Sequence, residues 1–262
     1  MPRRAAFLII LGLLGLSFTL PGYAQSPGLT GCDGIPASLN CKLLENFESD
    51  TLGGPPRRWR DTRGRDLVRL SAEGVMTERK NVYVRRENGN QFARIHTDGK
   101  ALRVVRSKKN GLDWSLSKRP ILQWTWRAMA LPKGANEQDS DRNDTGGALY
   151  VTFGTDWLGR PKSIKYTYSS ALSVGTTVDY GPLKVLVVAS KPDDGIGRWI
   201  THERNVVEDY ERLFGDEPPK DNPPALTIWS DSNTMNSVGT IDFDDILFLS
   251  EPTDPSTTAS SQ

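Results

Sequence analysis

Ile121-Leu122-Gln123-Trp124-Thr125-Trp126-Arg127-Ala128-Met129-Ala130 decides the fold class of this 262-residue chain. Leu122, Trp124, Trp126 and Ala128 alternate with Gln123, Thr125 and Arg127. An alternation of period two puts one set on each face of an extended strand, the first facing a core and the second facing out. Upstream, Asn81 to Glu87 and Gln91 to His96 flank Asn88-Gly89, the dipeptide best suited to a two-residue hairpin turn. Asp98-Gly99 then leads into Lys100 to Arg106, which predicts a three-stranded meander.

Downstream the same pattern repeats. Gly147 to Phe153, Ser163 to Tyr168, Lys184 to Ala189, Ala225 to Trp229 and Thr240 to Leu249 read as strands, with Arg198 to His202 as one more and Glu45 to Glu48 opening the sheet. One helix is expected. Asn205 caps it, Glu208 takes the capping-box position, Val206, Val207, Tyr210 and Phe214 share a face, and Gly215 closes it. About ten short strands with one short helix predict an all-β fold, a two-sheet antiparallel jelly-roll sandwich spanning residues 44–250.

Both ends read differently. Met1-Pro2-Arg3-Arg4 precedes an apolar run from Ala5 to Leu20, and Gly22 and Ala24 supply small residues for cleavage, the order of a secretory signal peptide over residues 1–24. A membrane anchor is the alternative, but the run is shorter than the ~20 residues that span a bilayer and ends at Pro21-Gly22. The tail over 251–262 is rich in Ser, Thr and Pro and is expected to be disordered. Cys32 and Cys41, in the segment 25–43, are the only cysteines, and in an oxidising compartment they read as a small-loop disulfide. Leu29-Thr30-Gly31-Cys32 also has the order of a lipobox. A lipidated Cys32 would leave Cys41 unpaired, so the two readings exclude one another. The expected location is periplasmic or secreted, with a lipid anchor as the alternative.

Charge narrows the partners. Removing Arg3 and Arg4 takes Lys plus Arg from 33 to 31 against 32 acids, so the exported chain has no basic surplus for nucleic acid or an anionic membrane. Phosphate-binding glycine loops, G-x-S-x-G and H-E-x-x-H are absent from the sequence. His202 and Glu203, with Asp209 and Tyr210 on the helix, are what remains as a catalytic set. Trp157 sits in the turn-rich stretch Gly154 to Gly159, where an exposed indole suits stacking against a sugar ring. Tyr166 and Tyr168 share one strand face and either line a groove or pack, and Asp144 ends an acid-rich loop that could hold an ion or ligand. Asp231, Asn233 and Asp245, joined by Glu48, are hard oxygen donors of the kind a structural calcium needs; the alternative is a set of solvated acids.

Several segments together resemble a bacterial family, domain of unknown function 3047. They are Trp124 to Arg127 followed by Leu131 to Ala135, Asp144 leading into Ala148 to Phe153, Glu203 to Gly215, Ile228 to Thr234 and Asp244 to Phe248. The resemblance covers roughly residues 44–250, and its most specific piece is Arg204 to Gly215. A Phe-Glu opening at Phe47-Glu48 and an Asp-Asp-Ile close resemble galactose-binding-like jelly rolls, many of which bind carbohydrate. The leading expectation is therefore an exported module that binds a glycan in the cell envelope. An enzyme acting on envelope polysaccharide, a hydrolase or lyase, is the rival, and a protein-interaction module in envelope assembly is the third reading.

Overall fold

The computed structural model describes residues 31–251. The export signal, Leu29 and Thr30 of the lipobox, and the tail beyond Glu251 lie outside the described residues.

The elements run β1 (Lys42–Glu45), α1 (Leu67–Ala72), β2 (Lys80–Glu87), β3 (Asn90–Asp98), β4 (Ala101–Ser107), β5 (Ile121–Ala130), β6 (Thr145–Thr155), β7 (Pro161–Ser169), β8 (Thr177–Tyr180), β9 (Leu183–Ser190), α2 (Lys191–Asp194), β10 (Ile200–Asn205), α3 (Val206–Phe214), β11 (Ala225–Asp231) and β12 (Val238–Leu249). They form two six-stranded sheets. The first runs β10-β5-β12-β3-β2, with β1 also on β12; the second runs β4-β11-β6-β7-β9-β8. This is the expected all-β two-sheet sandwich. Every pair is antiparallel except β7 with β9, where the short β8 intervenes along the chain.

β5 behaves as its alternation requires. Leu122, Trp124, Trp126 and Ala128 are fully buried between the sheets, and the two indoles meet edge to face at 5.5 Å. The Asn88-Gly89 hairpin also forms, both residues adopting positive φ (51° and 87°) as a primed turn demands. α3 is capped as read, Asn205 accepting from the backbone of Val207 and Glu208, with Gly215 left-handed at its end. Two shorter helices, α1 and α2, join it.

The meander is a correction. β2 and β3 pair, but β4 leaves at Asp98-Gly99 for the second sheet, where it lies on β11. The reason is occupancy: β3 has β2 on one edge and β12 on the other, so no ladder remains for a third neighbour. Turn chemistry fixes that the chain reverses, and the sheet fixes with whom it pairs. Cys32 and Cys41 are joined as a disulfide and pack on Ile121, Leu247 and Leu249, fastening the N-terminal segment to β5 and β12 of the first sheet.

Candidate functional site

The second sheet has a hollow outer face. Strand alternation turns Leu149, Val151 and Phe153 of β6, Ile164, Tyr166 and Tyr168 of β7, and Leu226 and Ile228 of β11 into the core. The opposite positions must face out. Register then builds rows across the sheet: Thr227 of β11 lies opposite Tyr150 of β6, which lies opposite Lys165 of β7. In the next row Arg103 of β4 lies opposite Trp229 of β11, which lies opposite Ala148. The small Ala148 leaves the two large rings room to approach, and Tyr150 and Trp229 meet at 5.1 Å between centroids.

These rings floor a cleft of about 690 Å³. Arg103, Lys165, Asp231 and Glu137 stand around it, with Thr152, Ser163 and Thr227 along the floor and Asn143, Arg160 and Asn233 among its other lining residues. The Arg103 guanidinium lies over the Trp229 ring at 3.3 Å. The Lys165 ammonium lies 5.3 Å from the Trp229 centroid and 5.9 Å from that of Tyr150. Tyr150, Trp229 and Lys165 are each less than a tenth exposed. The Tyr150 hydroxyl and the Trp229 indole N–H are buried without a hydrogen-bond partner. Three more indole N–H groups, on Trp59, Trp124 and Trp126, are also unpaired, but those rings belong to the sealed core.

The electrostatics follow from this burial. Desolvation lowers Lys165 to about 8, against the opposing pull of Glu137 and Asp231. Burial raises the Asp231 carboxyl, outweighing the hydrogen bond from Asn233 and the charges of Lys165 and Arg103, and burial raises the Tyr150 hydroxyl well above its usual range. Lys165 makes no ion pair among the described residues. The acids differ: Glu137 accepts from Thr167 and Ser169, and Asp231 accepts from the backbone of Asn233 at 3.4 Å.

The residues singled out from sequence mostly go elsewhere. Tyr166 and Tyr168 are fully buried; their hydroxyls donate to Asp209 and to the Gly195 carbonyl, so they pack and line no groove. β7 has an apolar face, Ile164-Tyr166-Tyr168, and a polar one, Ser163-Lys165-Thr167, and the apolar face takes the core. The exposed tyrosines therefore required the wrong face of a period-two strand. Asp144 is fully buried and accepts from the backbone of Thr234 and Met235. It staples the turn after β11 from inside the protein. Trp157 is 88% exposed at the β6–β7 hairpin tip, outside the cleft lining, although Arg160 from the same tip is part of that lining.

The catalytic set does not assemble. His202 packs on Trp124 and Trp126 at 5.2 and 5.3 Å, and burial, with the Arg204 charge, lowers it to about 4. It is neutral at physiological pH and faces the core. Glu203, the next residue along β10, is exposed. Asp209 is buried, which alone would raise its carboxyl, but hydrogen bonds and charge from Arg204, with Arg212 and Tyr166, hold it below the ordinary range. Tyr210 is fully buried between Phe153 and Phe214.

The calcium ligands are also divided. Asp231 and Asn233 line the cleft on the second sheet. Glu48 and Asp245 belong with the first sheet, where Glu48 accepts from the Gln91 backbone at 2.6 Å and Asp245 accepts from the Gly31 backbone at 2.8 Å. No group of three or more His, Cys, Asp or Glu among the described residues is arranged to hold a metal ion.

Fold and cleft together define a two-sheet β-sandwich with an aromatic-floored hollow on one outer face. A family model described as "protein of unknown function (DUF3047)" matches residues 71–247, and the chain belongs to that family. Among solved structures, it is similar to the family 11 carbohydrate-binding module of the cellulosomal cellulase Lic26A-Cel5E of Clostridium thermocellum, at 13% identity over 80% of this chain and 94% of that one, with a TM-score of 0.40. It is also similar to an exo-beta-agarase, at 11% identity over 81% of this chain and 25% of that one, TM-score 0.41. A third likeness is to the CBM22-1 xylan-binding domain of Paenibacillus barcinonensis Xyn10C, at 10% identity over 78% and 91%, TM-score 0.33. No curated protein matches the chain.

Proposed function

We propose that this chain is an exported glycan-binding β-sandwich whose ligand docks in the cleft on the outer face of the second sheet. The observation that carries the reading is the Tyr150–Trp229 pair, two aromatic rings at the floor of an open hollow. Pyranose rings present C–H faces that stack on such rings, and their hydroxyls need donors and acceptors at the rim. Asn143 and Asn233 supply both kinds, with Thr227 on the floor, while the Thr152 and Ser163 hydroxyls bond to each other at 2.9 Å. Export is supported by the Cys32–Cys41 disulfide, a bond that persists in oxidising compartments, and by the residue order at the N-terminus. No helix among the described residues is long and apolar enough to cross a membrane. Periplasm or secretion is the proposed location. A structural calcium is retained as a proposal at Glu48 and Asp245 alone, tested by comparing thermal unfolding in calcium and in a chelator.

The test is retention on a glycan array by the wild type and by a Trp229→Ala variant whose circular dichroism matches it. Loss of every hit in the variant is expected. Hits retained unchanged would remove the cleft as the site.

A second reading, an enzyme acting on envelope polysaccharide, is favoured by one observation: Lys165 and Asp231, both shifted toward neutrality by burial, line the same cleft. Shortening of a polysaccharide by the wild type, abolished in Lys165→Met, would establish it and move the candidate groups from His202 to the cleft.

A further inference from the structure

The polar groups of the cleft divide by sign in a way that names a ligand class. Both acids are engaged by the protein's own donors, Glu137 by the hydroxyls of Thr167 and Ser169 and Asp231 by the Asn233 backbone. The cations and donors are not. Lys165 is 5% exposed and has neither a hydrogen bond nor an ion pair among the described residues. Arg103 likewise makes no ion pair among the described residues and is held over Trp229 by its ring face. The Trp229 N–H and the Tyr150 hydroxyl, also unpartnered, lie on the rings that flank the Lys165 ammonium. Arg160 is the exception, paired with Asp156 at 2.7 Å.

A desolvated ammonium with no ion-pair or hydrogen-bond partner is costly to the fold even with Glu137 and Asp231 across the cleft, and so is a buried donor without an acceptor. Three such groups around one hollow are satisfied together by a single negatively charged, acceptor-rich substituent. We propose that the cleft takes an acidic glycan, with the carboxylate or sulfate of one sugar unit received by Lys165 and Arg103 beside the Tyr150 hydroxyl and the Trp229 N–H, and the rest of the sugar lying in the hollow above them. The inference rests on the cleft being the glycan site, and adds the charge of what it binds.

Calorimetric titration of the full chain with oligogalacturonate, a sulfated galactan oligomer and a neutral galactan oligomer of equal length tests it. The acidic ligands are expected to bind at least about tenfold more tightly than the neutral one, the worth of one charge-assisted hydrogen bond, and to weaken as salt screens the charge. Lys165→Met should abolish that preference, whereas Lys165→Arg should keep it. A sulfated ligand bound as well as the uronate shows that charge is read; a weaker one shows that the carboxylate is read. Equal affinity for acidic and neutral oligomers, or a preference that survives Lys165→Met, overturns the acidic-glycan inference and leaves glycan binding standing. A folded wild type that binds none of the three, nor any other glycan, overturns both.

Discussion

The outer faces of the two sheets are built from the same materials and finished in opposite ways. On the first sheet, Asp242 is fully buried and receives Arg94 through two bonds, at 2.6 and 2.8 Å, and Arg127 through two more, at 3.0 and 2.9 Å. Arg127 also reaches Glu87 and lies over the rings of Phe92 and Trp199. On the second sheet, Arg103 and Lys165 lie over Trp229 and Tyr150, and although Glu137 and Asp231 line the same cleft, neither cation makes an ion pair among the described residues. Cation over aromatic is common to both faces, and it is the pairing of charge that separates them. A face whose charges neutralise each other holds a sheet together, while a face whose donors are unpaired is where the proposed ligand would be received.

Breaking the paired face should cost the most. Asp242→Asn leaves two arginines beside a neutral amide, and loss of about 3–5 kcal/mol is expected, read as a fall in the urea midpoint. Ligand affinity of the protein that remains folded should be unchanged, since Asp242 is on the opposite sheet from the cleft. A loss of unfolding free energy under about 1 kcal/mol would mean that the network contributes little.

The unpaired face should respond the other way. Trp229→Ala is expected to lower glycan affinity by about 2 kcal/mol, the scale of an interface hot spot. Lys165→Met should weaken acidic ligands yet stabilise the fold by about 1–2 kcal/mol at neutral pH, because it removes a charge whose desolvation outweighs the pull of Glu137 and Asp231. Its pH signature separates this from simple repacking. Burial holds Lys165 to about 8, below its ordinary 10.5, so between those values the unfolded chain binds the extra proton. Wild-type stability therefore gains from this residue as pH rises from about 8 to 10.5, and loses that gain as pH falls back through 8. The difference between wild type and Lys165→Met should shrink across the window; a constant difference would assign the effect to packing. Trp157→Ala should change least, within about 0.5 kcal/mol in stability, with glycan affinity unaltered because the indole lies outside the cleft lining.

Legibility in the sequence tracked how local each decision was. The alternation in β5, the Asn88-Gly89 turn and the capped helix at Asn205 depend on neighbours a few residues away, and each formed as read. The site was hidden for a different reason. Tyr150 and Trp229 sit in strands whose two faces both carry large or apolar side chains, so neither stands out as exposed. The polar row of β7, Ser163-Lys165-Thr167, was a usable signal: a lone lysine between hydroxyls, opposite an apolar row, marks the outward face. The conspicuous residues pointed elsewhere. Trp157 is exposed but outside the cleft, and His202 is rare but half-buried with its ring on the core indoles.

By itself, then, the sequence determined most of the strands, the inward face of β5, the main helix and the spacing that lets Cys32 meet Cys41. Those follow from short-range sterics and from the free energy of hiding apolar rows. Tertiary structure alone decided that β4 leaves β3, that Tyr166 faces Asp209, and that Arg103, Tyr150, Lys165 and Trp229 meet. Each of those depends on which strands become neighbours across long stretches of chain. A cleft is a property of four strands in register, and no one of them carries its pattern.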